Sequence, residues 1–351
     1  MIVELRFQGS PLASLPLAEG RRTFTIGAGD CDLVVPPEVA IGVAQVHAIV
    51  ERVEVGIRVR EHGSGHGLYR SPRSPRVDEL LLHAGAVGWV GSCPLLALDH
   101  GLAALRPRLA WSMGLDAHAA VDDAITAVGE GAPIALVGPH NLDAVALTQG
   151  IHDAGAARDR EILICADSMV PPFGAFDGTV VVDLDRVRRL PSSQVVAIFA
   201  PRCPARVIFL ASDERVLRHR LDVYTERVRT FALVPLARRG EEIARLLQTI
   251  WRDELGSDRT VDALSPVALR GMGGHRWRGN FDELRAMAVR LLAYIEHPSL
   301  RRAARALGVR HQTLGQHLTR IGVPILDQSD RDLALISSMS DRTRSLVGVR
   351  K

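Results

Sequence analysis

The sequence predicts a multidomain chain: an N-terminal β-sandwich over residues 1–107, a central α/β domain over 115–235 with a helical lid over 236–297, a C-terminal all-α helix-turn-helix over 298–325, and a tail over 326–351. Three observations predict it. The first hundred residues are dense in short β-type runs broken by glycine. The middle of the chain alternates apolar strand-like runs with helical ones. Between Leu300 and Val323, apolar residues recur at three- and four-residue intervals on either side of Gly308.

Composition excludes several classes. The chain has 351 residues, enough for two or three domains with cores of their own, and its 47% hydrophobic and 24% charged residues suit a globular protein. No apolar run approaches the roughly 20 residues of a membrane helix, and Met1–Ser10 shows strand-like alternation instead of a basic-then-apolar leader, so a cytoplasmic protein without membrane contact is expected. Cys31, Cys93, Cys165 and Cys203 are far apart and form no C-x-x-C pair, which indicates free thiols. The net charge is only +3, and Lys351 is the sole lysine. Arginine is thus the default cation, and only its placement is informative.

In chain order, Ile2–Phe7, Arg22–Ile26, Val46–Arg52, Gly56–Glu61 and Ala86–Val90 are the candidate strands of the sandwich. RTFTIGAGDCDLVVP followed by VAQVHAIVERVEVGIRVREHGSGHGLY resembles a forkhead-associated (FHA) domain, whose landmarks are I-G-R, D-I-x-L, S-R-x-H and G-S-x-N-G. The resemblance implies phosphothreonine-peptide binding on loops at one end. Ile26, Gly27, His47, Gly63, Ser64 and Gly67 match; Ala28, Ala44, Gln45 and His66 replace the family's arginine, serine, arginine and asparagine. Charge-assisted donors hold a phosphate dianion, and two of these are now methyl groups. The usual clamp is not expected, and Ser64 and His66, helped by Arg22 or Arg70, remain as a weaker phosphopeptide or anion site. His47 is expected to brace the loop. The HGSGH run suggests no metal site, and the SPRSP run of Ser71–Pro75 reads as a loop and possible kinase target. Arg106–Met113 reads as the link to the next domain.

Pro133–Val137, Glu161–Ala166, Thr179–Leu184 and Ala205–Ala211 read as strands, with helices at Leu142–Ala154 and near Ser192–Phe199. GTVVVDLDRVRRLP, ARVIFLAS, VPLARRGEEIARLL and LSPVALRGMGGHRWRGNFDELR resemble motifs of the AAA+ ATPase module of sigma-54-dependent activators, over most of Pro133–Arg285. The resemblance implies an ATP site, which the residues contradict. A phosphate loop needs glycines, a lysine and a Ser/Thr, but VGPHNLDAVAL keeps only Gly138 and places Asp143 near the lysine position. Asp183 remains for magnesium, while Leu184 stands where the water-orienting glutamate belongs and Asp185 substitutes only with a shifted register. Ser212 and Asp282 replace the two sensors, and Arg218 is left as an arginine finger. Gly138, Asp183 and Arg218 are thus a vestigial nucleotide site. The loop carrying G-A-F-T-G-A, which contacts sigma-54, is reduced to ADSMVPPFGAFDG. Neither ATP hydrolysis, nor any catalytic residue, nor a cofactor is expected; residual nucleotide binding stays open.

Glu241–Leu255 and Glu283–Ile295 carry apolar residues at helical spacing, with Trp251 and Trp277 as core anchors. In the last segment Ser299 is a candidate N-cap, Gly308 the turn, and Val309 a plug against Ala304 and Leu314. No acidic residue lies between Ser299 and Pro324. Arg301, Arg302, Arg310, His311, Gln312, Thr313, Gln316, His317 and Arg320 are the candidate DNA-binding residues, with Arg305 adding to the basic face. The stretch resembles the Fis-type helix-turn-helix that ends sigma-54-dependent activators, matching at Ala303, Ala304, Arg305, Leu307, Gly308, Thr313, Leu314 and Leu318. Gly315 interrupts the second helix at about 1 kcal/mol relative to alanine. Asp330–Ser338 reads as a short helix within an otherwise partly disordered tail.

These readings predict a transcriptional regulator that binds double-stranded DNA as a dimer and docks a protein or phosphoprotein through its sandwich. Two alternatives stay open: a divergent ATP-dependent sigma-54 activator, and an interaction scaffold with vestigial DNA binding.

Overall fold

The computed structural model describes residues 1–325 except 8–9, 19, 140–141, 156, 167–169, 171, 189, 201–202 and 298. The expected helix at Asp330–Ser338 and the rest of the tail lie outside the described residues. The chain divides at Leu233/Val234 into two compact units.

The first unit opens with eleven short strands: β1 (Ile2–Phe7), β2 (Ser10–Pro16), β3 (Thr23–Gly27), β4 (Leu33–Val34), β5 (Ala48–Val53), β6 (Gly56–Glu61), β7 (Leu68–Tyr69), β8 (Arg76–Val77), β9 (Glu79–Leu82), β10 (Val87–Val90) and β11 (Cys93–Leu98). They form two sheets, ordered β2-β1-β11-β10-β7-β8 and β4-β3-β5-β6-β9. The period of two decides which residues meet between them. Val3 and Leu5 on β1, Phe24 and Ile26 on β3, Val50 on β5, Val59 on β6 and Leu95 on β11 enter one core. The two-residue strands β4, β7 and β8 were not expected, and neither were β2, β9 and β11. SPLASLP carries two prolines, tolerated because β2 is an edge strand, while ELLL and CPLLAL are leucine-rich and lack the β-branched residues that mark strands.

Arg106–Met113, expected as a link, is the second half of helix α1 (His100–Met113). Pro107 inside the helix made the segment look broken, but Asp99 caps its start, accepting from the Leu102 N–H at 2.7 Å. Helix α2 (His118–Gly129) follows. These helices are tied to the sandwich by a mixed charge network: Arg6 on β1 donates to Asp122 on α2 at 2.6 Å, and Arg106 on α1 bridges Asp122 at 2.7 Å and Glu4 at 3.2 Å. Two cations and two carboxylates cancel, so the pairs tolerate burial that a lone charge would not. Burial, and then the neighbouring Arg106, lower the Arg6 pKa against the pull of Asp122.

The α/β part contains β12 (Ile134–Val137), α3 (Ala144–Ala154), β13 (Glu161–Cys165), β14 (Gly178–Asp183), α4 (Ser192–Ile198), β15 (Arg206–Ala211), α5 (Glu214–Leu221) and β16 (Arg229–Ala232). The strands form a parallel sheet, β13-β14-β15-β12-β16. Every residue of β14 and β15 is buried, as expected for strands covered on both faces. Arg206 opens β15 as a buried cation facing carbonyls of Val128 and Ile151 near the C-terminal ends of α2 and α3. Those carbonyls carry the negative pole of their helices, and burial lowers the guanidinium pKa to about 10.

The second unit is helical: α6 (Ile243–Thr249), extended by a π-turn to Glu254, then α7 (Pro266–Gly273), α8 (Asn280–Glu296), α9 (Leu300–Ala306) and α10 (His311–Arg320). Trp251 and Trp277 are buried in its core, and their indole N–H groups donate to Ala288 O at 2.9 Å and Met272 O at 3.0 Å. None of the described helices is long and apolar enough to cross a membrane.

Candidate nucleic-acid interface

Helices α9 and α10 are built from the periodicity of the sequence. Ser299 has extended backbone and accepts from the Arg302 N–H at 3.3 Å, capping α9. Gly308 takes a φ of 66°, the left-handed turn that glycine adopts without a Cβ penalty, and α10 begins three residues later. Ala303, Ala304, Leu314, Leu318, Ile321 and Val323 are buried. Val309 plugs the corner less fully than expected: it is 39% exposed, and its N–H donates to Ala304 O at 2.9 Å. Gly315 has a packing reason, because a Cβ there would lie 3.1 Å from Ile325 Cδ1 and 3.4 Å from Leu300 Cδ2.

This helix pair is seated on α7 and α8. Gly322 has a φ of 77°, and a Cβ on it would fall 2.6 Å from Gly271 Cα, so two glycine backbones meet where no side chain fits. Glu283 on α8 is the polar anchor. It accepts from the Gly279 N–H at 3.0 Å, pairs with His275 Nε2 at 3.0 Å and pairs with Arg320 at 3.0 Å. Burial alone would raise its pKa, but these donors bring it below the ordinary glutamate value.

The nine candidate DNA-binding residues therefore separate into two groups. Arg301, Arg302, Arg310, His311, Gln312, Thr313 and Gln316 are exposed and have no side-chain partner among the described residues, as is also true of Arg305. Arg320 and His317 behave differently. Arg320 is held by Glu283, and His317 is half-buried on the flank near Arg290 and Arg320. Burial, and then those two cations, lower the His317 pKa. Thr319, exposed one turn beyond Gln316, was overlooked although the helical period places it beside that residue.

Of the residues read as a vestigial nucleotide site, Gly138 and Asp183 lie at the carboxyl edge of the parallel sheet, where the strand order reverses at β12 and where α/β proteins bind ligands. Here the polar groups serve the protein itself. The Gly138 N–H donates to Ala211 O at 2.9 Å, and a Cβ on Gly138 would meet Leu233 O at 2.7 Å and Leu142 Cδ1 at 3.3 Å. Leu142 is fully buried, and Asp143 takes a φ of 57°. His140 and Asn141, also in this loop, lie outside the described residues. The buried Asp183 accepts from the N–H groups of Asp185 at 3.1 Å and Arg186 at 3.3 Å, capping the turn after β14. Asp185 accepts from the Ser212 N–H at 2.7 Å and hydroxyl at 2.6 Å, which joins two positions of the expected catalytic set to each other. Arg218 sits on the surface of α5, paired with Glu214. No lysine is present among the described residues.

The loops of the sandwich repeat this pattern. The N–H groups of Ala28 and Gly29 donate to the carbonyls of Ala44 and Gln45 at 2.9 Å. The Ser64 hydroxyl donates to Glu61 at 2.7 Å and accepts from the His66 N–H at 3.1 Å, while the Gly65 N–H also donates to Glu61 at 2.9 Å. The Ser64 hydrogen bond leads the causes that hold the Glu61 carboxyl below its ordinary pKa. An internal carboxylate thus occupies donors that a bound phosphate would need. His47 is fully buried and braces the loop: its Nδ1 accepts from the Ala44 N–H at 3.3 Å, leaving Nε2–H to donate to Gly67 O at 2.9 Å. His66 is exposed and lines a cleft of about 470 Å³ with Tyr69, Pro72 and Trp89. Arg22 cannot assist Ser64, because it precedes β3, whose far end, Gly27, adjoins the loops. At the rise of a strand, that separation is about 15 Å. Among the described residues, no three His, Cys, Asp or Glu are grouped to hold a metal.

No family model and no curated protein matches this chain. Among solved structures, it is similar to the FHA domain of the CT664 protein from Chlamydia trachomatis, at 19% identity and a TM-score of 0.24 over 28% of this chain and 96% of that one. It is similar to the FhaA FHA domain, solved in complex with the intracellular domain of Rv3910, at 23% identity and a TM-score of 0.22 over 27% of this chain and 97% of that one. It is also similar to NtrX from Brucella abortus, solved in complex with ATP, at 15% identity and a TM-score of 0.33 over 64% of this chain and 68% of that one. The described chain is a β-rich N-terminal region followed by an α/β region and C-terminal helices.

Proposed function

We propose that this protein is a DNA-binding transcriptional regulator whose α9–α10 pair acts as a helix-turn-helix reader. The observation that carries this reading is the outward face of the pair: Arg301, Arg302, Arg305 and Arg310 are exposed, none has a side-chain partner among the described residues, and no acid lies between Ser299 and Pro324. Four unneutralised cations spread over the two helices suit a phosphate backbone, whose condensed counterions they would release. The sandwich docks a protein partner. The α/β region is a pseudo-ATPase core that neither hydrolyses ATP nor remodels sigma-54 polymerase, since it lacks a lysine and its acids are bound to backbone and Ser212. The protein acts in the cytoplasm as a dimer, because a single reader makes few contacts and paired half-sites double them.

Fluorescence anisotropy of the full chain on genomic duplex fragments tests the reading, with Arg301→Ala/Arg302→Ala/Arg310→Ala as the comparison. Binding by the native chain, lost in the triple variant at an unchanged melting temperature, is the expected result. Absence of binding by the native chain would remove the regulator reading and leave the scaffold.

A further inference from the structure

The residues α10 leaves free also specify which bases it reads. We infer that the reader selects A·T base pairs at the positions facing Gln312 and Gln316, an inference that rests on the DNA-binding reading above. The buried side of α10 is defined by Leu314, Gly315 and Leu318. At 100° per residue, the opposite side carries Thr313, Gln316 and the terminal Arg320, with Gln312 at its edge, all exposed. This face contains no cation within the first two turns, the part of a recognition helix that meets base edges.

The two groups that would change this chemistry are engaged elsewhere. Arg320 is the last residue of α10 and is paired at 3.0 Å with Glu283, itself fixed by the Gly279 N–H and His275. To reach a base, Arg320 would have to leave a carboxylate held in place by two other donors. His317 lies on the flank, half-buried, with its Nδ1 enclosed. Arg310 precedes the first turn, at the N-cap, and is left for the phosphate backbone or a flanking base pair.

An amide presents one acceptor and donors side by side. That pattern complements the N6–H donor and N7 acceptor of adenine in the major groove, whereas guanine offers two acceptors, N7 and O6, which call for the paired donors of arginine. Gln312 and Gln316 are four residues apart on one face, so their side chains sit about 6 Å apart along the axis, close to two base-pair steps. The methyl group of Thr313 lies on the same side and suits the C5 methyl of thymine.

The test is selection of bound duplexes from a randomised pool by the full chain, with Gln312→Ala, Gln316→Ala and Gln316→Arg analysed in parallel at unchanged melting temperature. The native chain is expected to enrich adenine at two nearby positions. Each alanine variant is expected to lose roughly 5- to 150-fold of discrimination at one of them, the size of one bidentate base contact, while Gln316→Arg moves its position to guanine. Enrichment of G·C at the positions altered by these variants, or alanine variants that weaken binding without changing base preference, would overturn this inference and leave DNA binding intact. Failure of the native chain to bind any duplex would overturn both.

Discussion

The crevice at the edge of the parallel sheet and the outer face of α9–α10 carry similar chemistry, yet their polar groups are used in opposite ways. In the crevice, Asp183 caps a turn, Asp185 holds Ser212, the Gly138 N–H holds Ala211 O and Arg218 pairs with Glu214. On the helix pair, Arg301, Arg302, Arg310, Gln312, Thr313 and Gln316 face solvent with no side-chain partner among the described residues. A hydrogen bond already made inside the protein contributes about 1 kcal/mol to folding and must be broken before the same group can serve a ligand. Polar groups satisfied internally act as structure. A motif whose groups remain outward and unpaired is still able to recognise something.

The contrast can be broken first at the joint that seats the helix pair. Gly322→Val introduces a side chain at positive φ against Gly271 Cα and is expected to destabilise the helical unit by roughly 3 kcal/mol or more, read as a lower melting temperature with DNA binding lost alongside. In the crevice, Asp183→Ala should behave as loss of a cap, costing about 1–2 kcal/mol. Mg-ATP should raise the melting temperature of neither native chain nor variant, and native-chain stabilisation that vanishes in the variant would restore a nucleotide site.

A smaller effect is expected in the sandwich. Burial is the main cause lowering the His47 pKa from 6.5, so the unfolded chain takes up the proton first. Stability from neutral His47 is therefore fully present above about pH 6.5 and falls by at most about 1.4 kcal/mol per pH unit below it, until the folded pKa is reached. Urea titrations between pH 7.5 and 5 should show this slope and its loss in His47→Gln. The smallest effect belongs to the exposed cations: Arg301→Ala alone should leave stability within about 0.5 kcal/mol and reduce the slope of log affinity against log salt by about 1.

Much of the helix pair was legible because its signals are local. Ser299 caps its own helix, Gly308 turns where it stands, and a 3.6-residue period is enough to find Leu314 and Leu318. What escaped depends on distant neighbours. Arg320 read as a free cation because Glu283 lies 37 residues earlier, and Gly315 read as a pure cost because Ile325 and Leu300 pack over it only in three dimensions. In the sandwich, Ser64 matched a phosphate-binding motif, and nothing in the pattern reveals that Glu61 satisfies it from three residues away. Helix α1 was hidden by Pro107, and strands β9 and β11 by their leucines. The departures of VGPHNLDAVAL from a phosphate-loop pattern were visible in the residues themselves, but the internal bonding of Asp183 and Asp185 was not.

The central claim is that recognition of DNA resides in the helix pair and is independent of nucleotide. It is tested most directly by measuring the affinity of the full chain for its selected duplex across a range of salt concentrations, with and without Mg-ATP. The expected result is one salt-dependent binding curve, identical in the presence and absence of nucleotide. Binding that appears only with Mg-ATP would contradict the account and identify the crevice as a working nucleotide switch.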